Sequence, residues 1–168
     1  IRQALRKFLT WCRHRTANPF AIVQWADDAF FWPYQDPKWW HVGQNSQYLS
    51  TAWALLLAAR AVPEMREEAV RLAQAQLDWV VGMNPYAICM LHGAGANHVR
   101  QQHHRYWAIG RPGGGNVPGA VLNGIVRIYP ILDYPWIDLA GNAWQTNEPW
   151  LPHNAYYLLA LAEWSRLF

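Results

Sequence analysis

Apolar residues recur along the first part of this chain at the spacing of a helix that buries one face. In residues 1–16 the apolar positions on one side of such a helix are Ile1, Leu5, Phe8, Leu9 and Cys12. Mostly polar and basic residues stand between them. This period predicts an amphipathic helix that ends before Pro19.

Two further helices are predicted one directly after the other. The second starts at Asn45 or Ser46, either of which suits an N-cap position, and runs to about Val62. Pro63 opens the third, because proline is favoured in a first helical turn. Gly82 ends it, as glycine often does after the last helical turn.

The second half of the chain alternates helical and aperiodic stretches. Residues 118–129 and residues 152–166, which contain AYYLLALAEW, are predicted to be helical. The aperiodic stretches, rich in tryptophan, proline and glycine, are residues 17–44, 83–117 and 130–150. No strand pattern is convincing. We therefore predict an all-α fold of packed antiparallel helix pairs, that is, helical hairpins with long loops on one face.

Length and charge narrow the class of protein. The 168 residues suffice for one substantial core, and residues 1–168 are treated as a single domain. The net charge of +3 comes from scattered basic residues, which predicts no nucleic-acid partner. The apolar run AWALLLAARAV is too short to cross a bilayer and contains Arg60, so no membrane partner is predicted.

The histidines are the first candidates for metal chemistry. Those that lie within one short stretch are His92, His98, His103 and His104. Adjacent residues such as His103 and His104 rarely both reach one ion, and no cysteine or carboxylate completes a ligand set. Neither Cys12 nor Cys89 belongs to a metal or redox motif. The sequence therefore predicts no metal site and no cofactor.

Glu148 differs from the other carboxylates in its surroundings. It lies in WQTNEPW, between Trp144 and Trp150 and just before a predicted helix. An apolar, partly desolvated setting favours the protonated carboxyl group that a general acid requires. The alternative is a capping or surface acid ahead of the last helix, and local context alone favours that alternative.

Twelve tryptophans are more than a core of this size requires. Trp53 and Trp79 fall within predicted helices and are assigned to the core. Loop tryptophans such as Trp107 and Trp144 offer flat apolar faces with a polar edge, which suit stacking on pyranose rings. Histidine and arginine side chains supply donors for sugar hydroxyls. Together these residue types indicate a groove that binds a glycan.

Several motifs in the same order make the chain resemble glycoside hydrolase family 9. HVGQNSQYLSTAWALLLAARAVPEMREEAVRLAQAQLDWVVGMNP resembles the family's stretch from Gly-x-Asn-Ser to LDY-hydrophobic-LG-x-NP. HGAGANHVRQQHHRY resembles its glycine-bearing loop that ends in His-His-Arg. NVPGAVLNGI and TNEPWLPHNAYYLLALA resemble its Pro-Gly segment and its closing motif of an acid followed by Asn-Ala. Order and approximate spacing agree from about residue 41 onward.

The resemblance implies an (α/α)6 barrel, of which this chain would be the C-terminal part, about the last third. It also implies an inverting hydrolase of β-linked glucan or a related polysaccharide or oligosaccharide, located outside the cell or in the periplasm. Glu148 matches the family's general acid. His103 or His104, together with Arg105, matches the segment that holds the sugar beside the scissile bond, and Asn154 matches a structural asparagine.

Two departures from the family pattern shape these expectations. The family has an Asp-x-Arg pair shortly before its acid, whereas DLAGNAWQTNE offers only Asp138, which is taken as a substrate-binding residue. The family's catalytic base belongs to an Asp-x-Gly-Asp-like motif that this chain lacks. We therefore expect the base on upstream sequence, and we expect the chain alone to be inactive. The unpaired apolar helix faces of a partial barrel predict self-association.

Two other classes of function stay open. One is a non-catalytic glycan-binding or scaffold module that keeps the groove without the base, and a paired-Asp motif in upstream sequence would argue against it. The other is a different helical-barrel enzyme, such as a lyase or an unsaturated-glycan hydrolase, that uses the histidines and Arg105 on uronic acids.

Overall fold

A computed structural model describes residues 1–27, 29–31, 43–104, 115–127 and 132–168. Its helices are α1 (Arg2–His14), α2 (Asn45–Ala61), α3 (Arg66–Val81), α4 (Trp144–Asn147) and α5 (Leu151–Trp164). The strands are β1 (Val126–Arg127) and β2 (Pro135–Trp136), which pair antiparallel. A 3-10 turn, Pro63–Met65, precedes α3. The regular secondary structure of the described part of the chain is thus mostly helical, as predicted.

Helix α2 lies at the centre of the described structure. It packs along α3 and α5 and also contacts α1. Leu49, Leu55 and Leu56 on α2 are fully buried, and small residues such as Ala52 let its neighbours approach closely. A helix buried on most sides is typical of the interior of a helical assembly. Among the described helices, none is long and apolar enough to cross a membrane.

Trp79 in α3 joins the helices to the loop after α1. Among the described residues, the rings within contact range of its buried indole are those of Phe20, Phe30, Phe31 and Tyr48. Edge-to-face and tilted ring contacts of this kind add to the stabilisation that burial provides. Trp53 packs against the core beside Tyr156, with 6.1 Å between ring centroids. The assignment of Trp79 to the core is confirmed, and Trp53 is partly buried at the edge of the core.

The second helix starts at Asn45, as predicted, but without the predicted cap, and the third helix starts later than predicted. Gln44 occupies the N-cap of α2 without a side-chain capping bond, and Asn45 is already helical. The Asn45 amide instead donates from Nδ2 to the carbonyl oxygen of Leu122 at 2.8 Å. The Asn45 side chain, which local sequence assigns to an N-cap, therefore bonds to a residue far along the chain. The third helix starts at Arg66, after the turn Pro63–Met65.

The prediction of a helix over residues 118–129 is wrong for 118–127, the part of that range that the structure describes. Leu122 N donates to Met90 O at 3.1 Å, so this segment pairs with another loop instead of coiling on itself. Residues 120–127 are all buried. A fully buried extended segment carries a continuous apolar run, which periodicity cannot distinguish from a buried helix. Gly124, with φ of +100°, also takes the chain out of helical conformation.

Candidate active site

Residues 144–150, which we call the acid segment, are contacted by three distant parts of the chain. The segment contains α4, then Glu148, then the N-cap residue of α5. Glu148 follows α4 in extended conformation (φ −74°, ψ 131°) and is partly buried. Main-chain carbonyls of the acid segment accept hydrogen bonds from Gly43, His103 and Asn123. Tertiary contacts therefore set the position of Glu148.

Asn123 holds both ends of α4. Its main-chain N–H donates to Glu148 O at 3.0 Å, and its Nδ2 donates to Trp144 O at 2.7 Å. Its own carbonyl oxygen accepts from Asn45 N at 3.0 Å, which ties the arrangement to the start of α2. Because Asn123 is fully buried, water does not compete for these bonds.

Glycines permit the close approach of these segments. A Cβ on Gly43 would lie 2.3 Å from Gly124 O, and one on Gly124 would lie 2.6 Å from Asn45 Oδ1. Gly43 N also donates to Gln145 O at 2.8 Å. The start of the Gly-x-Asn-Ser motif thus packs directly on Asn123–Gly124 and on the acid segment. No larger residue fits Gly43 without displacing the main chain at Asn123–Gly124, or Gly124 without displacing the Asn45 side chain.

The histidine pair lies beside the acid segment. His103 N donates to Asn147 O at 3.0 Å, so the main chain at His103 is hydrogen-bonded to the residue before Glu148. Asn147 donates from Nδ2 to Gln101 O at 3.3 Å, which adds a second link. His103 and His104 are half-buried. The structure therefore brings the predicted sugar-binding histidines and the predicted acid into one neighbourhood.

The Glu148 carboxyl group has a partner that the sequence did not predict. Trp150 donates from its indole Nε1 to Glu148 Oε2 at 2.6 Å. Charge-assisted hydrogen bonds at this distance are among the stronger ones in proteins. Trp150 is therefore a polar partner of the acid as well as an apolar neighbour.

Asp138 organises the loop ahead of α4. Its Oδ2 accepts from Asn142 N and Ala143 N, each at 2.7 Å, and its Oδ1 accepts from Ala140 N at 2.9 Å. Asp138 O accepts from Asn147 Nδ2 at 2.7 Å. Because its carboxylate accepts from three main-chain amides, Asp138 fixes the conformation of the loop that precedes the acid segment. Contact of Asp138 with substrate stays a prediction.

The other predicted sugar-binding residues are Trp144, Arg105 and Trp107. Trp144 is partly buried at the first position of α4. Arg105 and Trp107 lie outside the described residues. Binding of substrate by Trp144, Arg105 or Trp107 stays a prediction.

Asn154 and His153 connect the acid segment to α5. Asn154 Oδ1 accepts from Val121 N at 3.0 Å, and its Nδ2 donates to Trp150 O at 2.9 Å. Burial lowers the pKa of His153 to about 4. His153 is thus neutral around pH 7, at a junction of three segments.

The remaining histidines of the cluster lie in a different loop contact. The rings of His92 and His98 are 5.6 Å apart, and His92 Nδ1 lies 3.0 Å from Val99 O. Burial lowers the pKa of His92. Within the described ranges no three His, Cys, Asp or Glu side chains are close enough to hold a metal ion.

A cavity of about 860 Å³ lies elsewhere on the molecule. It is lined by residues of α3 and of the C-terminal end of α5, including Val70, Arg71 and Trp164. No residue of the acid segment lines it, so its size carries no argument about Glu148.

Sequence reasoning missed the residues that hold the acid in place. Asn123 is a polar residue inside an apolar run, which is a signal that could have singled it out. Asn147 and the Trp150 indole N–H gave no such signal, because their partners are distant main-chain groups and a carboxyl group two residues away.

Comparison with solved structures shows a shared fold. A metagenome-derived glycoside hydrolase family 9 endoglucanase superposes with a TM-score of 0.67 at 27% identity, over 96% of this chain and 28% of that chain. The cellulase Cel9M of C. cellulolyticum gives 0.67 at 21% identity, over 96% and 34%. The endoglucanase CelQ from Clostridium thermocellum gives 0.62 at 21% identity, over 74% and 21%. This chain thus spans about a fifth to a third of the structures it matches.

The fold that these matches show is the (α/α)6 barrel, as the resemblance implied. A comparison with curated protein sequences gives no significant match. The family model described as "Glycosyl hydrolase family 9" matches residues 2–161. Nearly the whole chain is covered by that match, and the chain therefore belongs to glycosyl hydrolase family 9.

Proposed function

We propose that the protein hydrolyses β-linked glucan or a related polysaccharide or oligosaccharide with inversion, and that Glu148 is its general acid. The observation that carries the proposal is the meeting of Glu148 with the histidine pair at the acid segment, where His103 N bonds to Asn147 O. The two sequence motifs that match the family's acid and its sugar-holding loop are thereby neighbours in space.

The reaction assigns a separate role to each group. Glu148 protonates the departing glycosidic oxygen, and a second carboxylate takes a proton from the water that attacks the opposite face of the sugar. Inverting enzymes keep these carboxyls roughly 6.5–9.5 Å apart so that water fits between them. We propose that the second carboxylate, an aspartate, lies outside the 168 residues, and that this chain alone does not turn over substrate.

Substrate binding would involve the histidines and aromatic residues around the acid. His103, His104 and Arg105 would donate to sugar hydroxyls, and Trp107 and Trp144 would stack on pyranose faces. CelQ is described as complexed with cellobiose and cellotriose, and AaCel9A, 24% identical with a TM-score of 0.67, with a cellobiose-like isofagomine. These neighbours support an oligosaccharide ligand. A location outside the cell or in the periplasm rests on the family resemblance.

The test is Glu148→Gln in the full-length protein. The amide keeps the shape of the side chain and removes the transferable proton, so hydrolysis of a β-glucan should fall by about 10²–10⁴-fold. A glycosyl fluoride needs little protonation and should lose much less activity. Rates on both substrates and binding of uncleaved oligosaccharide are measured for the wild type and the variant.

Glu67→Gln is the matched control, because Glu67 is an exposed glutamate on α3. This variant should keep wild-type rates on both substrates. Near wild-type cleavage of β-glucan by Glu148→Gln would contradict the acid assignment. Tight oligosaccharide binding by a full-length wild type that hydrolyses nothing would instead favour a glycan-binding module.

A further inference from the structure

The bond between Trp150 and Glu148 constrains the chemistry of the carboxyl group. An indole N–H donates and cannot accept, so Glu148 Oε2 must be the acceptor in the 2.6 Å contact. A proton on Oε2 would leave that atom only the weaker acceptor capacity of a carboxylic acid hydroxyl oxygen. The protonated acid therefore keeps the stronger hydrogen bond to the indole when its proton is on Oε1.

Both partners in this contact are attached to fixed main chain. The Trp150 carbonyl accepts from Asn154 Nδ2 at 2.9 Å, and Asn154 Oδ1 accepts from Val121 N at 3.0 Å. The Glu148 carbonyl accepts from Asn123 N at 3.0 Å. Pro149 between them restricts the backbone and pairs with Leu122 in an isolated bridge. The main chain that carries both side chains is therefore held by contacts with other segments.

Trp150 does not belong to the hydrophobic core. Its side chain is 40% exposed, so the ring is not held by burial alone. Its main chain is instead placed as the N-cap residue of α5, and the bond to Glu148 places its indole ring. A tryptophan that served only as a stacking platform would not need its N–H directed at a carboxyl group.

We propose that Trp150 is a positioning residue that holds Glu148 by Oε2 and thereby assigns the transferable proton to Oε1. The proposal rests on the function proposed for Glu148. In the reaction the glycosidic C–O bond breaks, its electron pair passes to the departing oxygen, and that oxygen takes the proton from Oε1. Water forms the new bond to the anomeric carbon and gives its proton to the second carboxylate. The Glu148 carboxylate that results keeps its bond to Trp150.

The kinetic test is Trp150→Phe in the full-length protein. The variant keeps an aromatic ring and removes the N–H, so the carboxyl group can rotate away from its productive orientation. Misplacement of a catalytic group can cost up to about 100-fold in rate. We expect kcat on β-glucan to fall by about 10- to 100-fold with KM nearly unchanged, and the rate on a glycosyl fluoride to stay close to wild type.

Trp164→Phe provides the matched control. Trp164 lies at the other end of α5, where its ring is 5.2 Å from that of Phe168, and no residue of the acid segment is its neighbour in sequence. This variant should keep wild-type kinetics on both substrates. A rise in KM without a fall in kcat for Trp150→Phe would show that Trp150 acts as a stacking residue, and would overturn the proposal.

A spectroscopic test is independent of activity. In the full-length protein with ¹⁵N-labelled indole groups, the Trp150 signal is identified by its absence from Trp150→Phe or, if that variant does not fold, from Trp150→Tyr. In Glu148→Ala this signal should move upfield, because the indole proton loses a charge-assisted acceptor. An unchanged Trp150 signal would mean that the hydrogen bond does not form, and the proposal would be wrong.

The two proposals fail in different ways. If Glu148 is not the general acid, Glu148→Gln retains activity, whereas the Trp150 indole signal still responds to Glu148→Ala. If only the positioning role is wrong, Glu148→Gln loses activity while Trp150→Phe does not.

Discussion

His153, in the first turn of α5, is 2% exposed and lies close to Gly43 and Trp150. Burial lowers its pKa to about 4, against an ordinary value of about 6.5 in an unfolded chain. As the pH falls below 6.5 the unfolded chain therefore takes up a proton before the folded one does. The stability that neutral His153 contributes is complete above pH 6.5 and is lost between pH 6.5 and pH 4.

We expect His153→Gln to flatten this pH dependence. A difference of this size between folded and unfolded pKa corresponds to about 3 kcal/mol of unfolding free energy. Urea unfolding of the wild type and the variant at pH 7 and pH 4.5 measures it. Carboxylates contribute equally to both proteins, so the difference between their slopes isolates His153.

His14→Gln serves as the control, because His14 is exposed at the end of α1. This variant should keep the wild-type pH dependence. If His153→Gln has the same slope as the wild type from pH 7 to pH 4.5, burial of a neutral imidazole does not limit stability in acid.

The side chain of Gln76 hydrogen-bonds helix α3 to the loop after α1. Its Oε1 accepts from Val23 N at 3.0 Å, and its Nε2 donates to Ala21 O at 3.2 Å and to Leu72 O at 3.0 Å. Gln76 is fully buried, and Val23 is buried as well. The Gln76 amide thus provides hydrogen-bond partners for main-chain groups of the loop that water does not reach. This allows a loop without regular structure to pack against a helix.

Gln76→Leu keeps the size of the side chain and removes all three bonds. The Val23 N–H and the Ala21 carbonyl would lose their partner, and we expect the unfolding free energy to fall by about 2–3 kcal/mol. Denaturant unfolding at pH 7 measures the loss. Gln74→Leu, a more exposed glutamine of the same helix, should change stability by less than about 1 kcal/mol. Equal losses for the two variants would mean that Gln76 does not hold the loop.

At the scale of the whole molecule, α5 presents an apolar stripe without a partner among the described residues. Leu151 is 81% exposed and Leu158 is 65% exposed, and Leu161 falls on the same side of the helix. Contiguous exposed apolar surface of this kind promotes association. The other face of α5 packs on α2, so both sides of the helix are suited to a helical neighbour.

We expect the 168-residue chain by itself to self-associate through this stripe. Size-exclusion chromatography with light scattering should show species larger than the 19.4 kDa monomer. Leu158→Glu combined with Leu161→Glu should shift the chain toward the monomer, because charges on the stripe oppose its burial. Leu139→Glu, at an exposed leucine in a loop, should leave the association unchanged. A wild-type chain that is monomeric at all concentrations would contradict the prediction.

The sequence by itself determined the helices that carry a clear period and the identity of the chemical groups. The predicted bounds of α1, α2 and α5 agree with the structure to within a few residues, because apolar spacing and flanking prolines act locally. Motif order was enough to identify the family, since it depends only on residue types along the chain. Glu148 and the pair His103 and His104 were singled out on the same basis.

Only the tertiary structure decided how those groups are held. Residues 120–127 are buried on all sides, so their apolar run gave no period, and pairing with a distant loop fixed them as extended. Asn45 and Asn123 bond to segments far along the chain, which no local preference encodes. The bond from Trp150 to Glu148 depends on a backbone that remote contacts fix. Local physics therefore set the helices, and hydrogen bonds between distant main-chain and side-chain groups set the site.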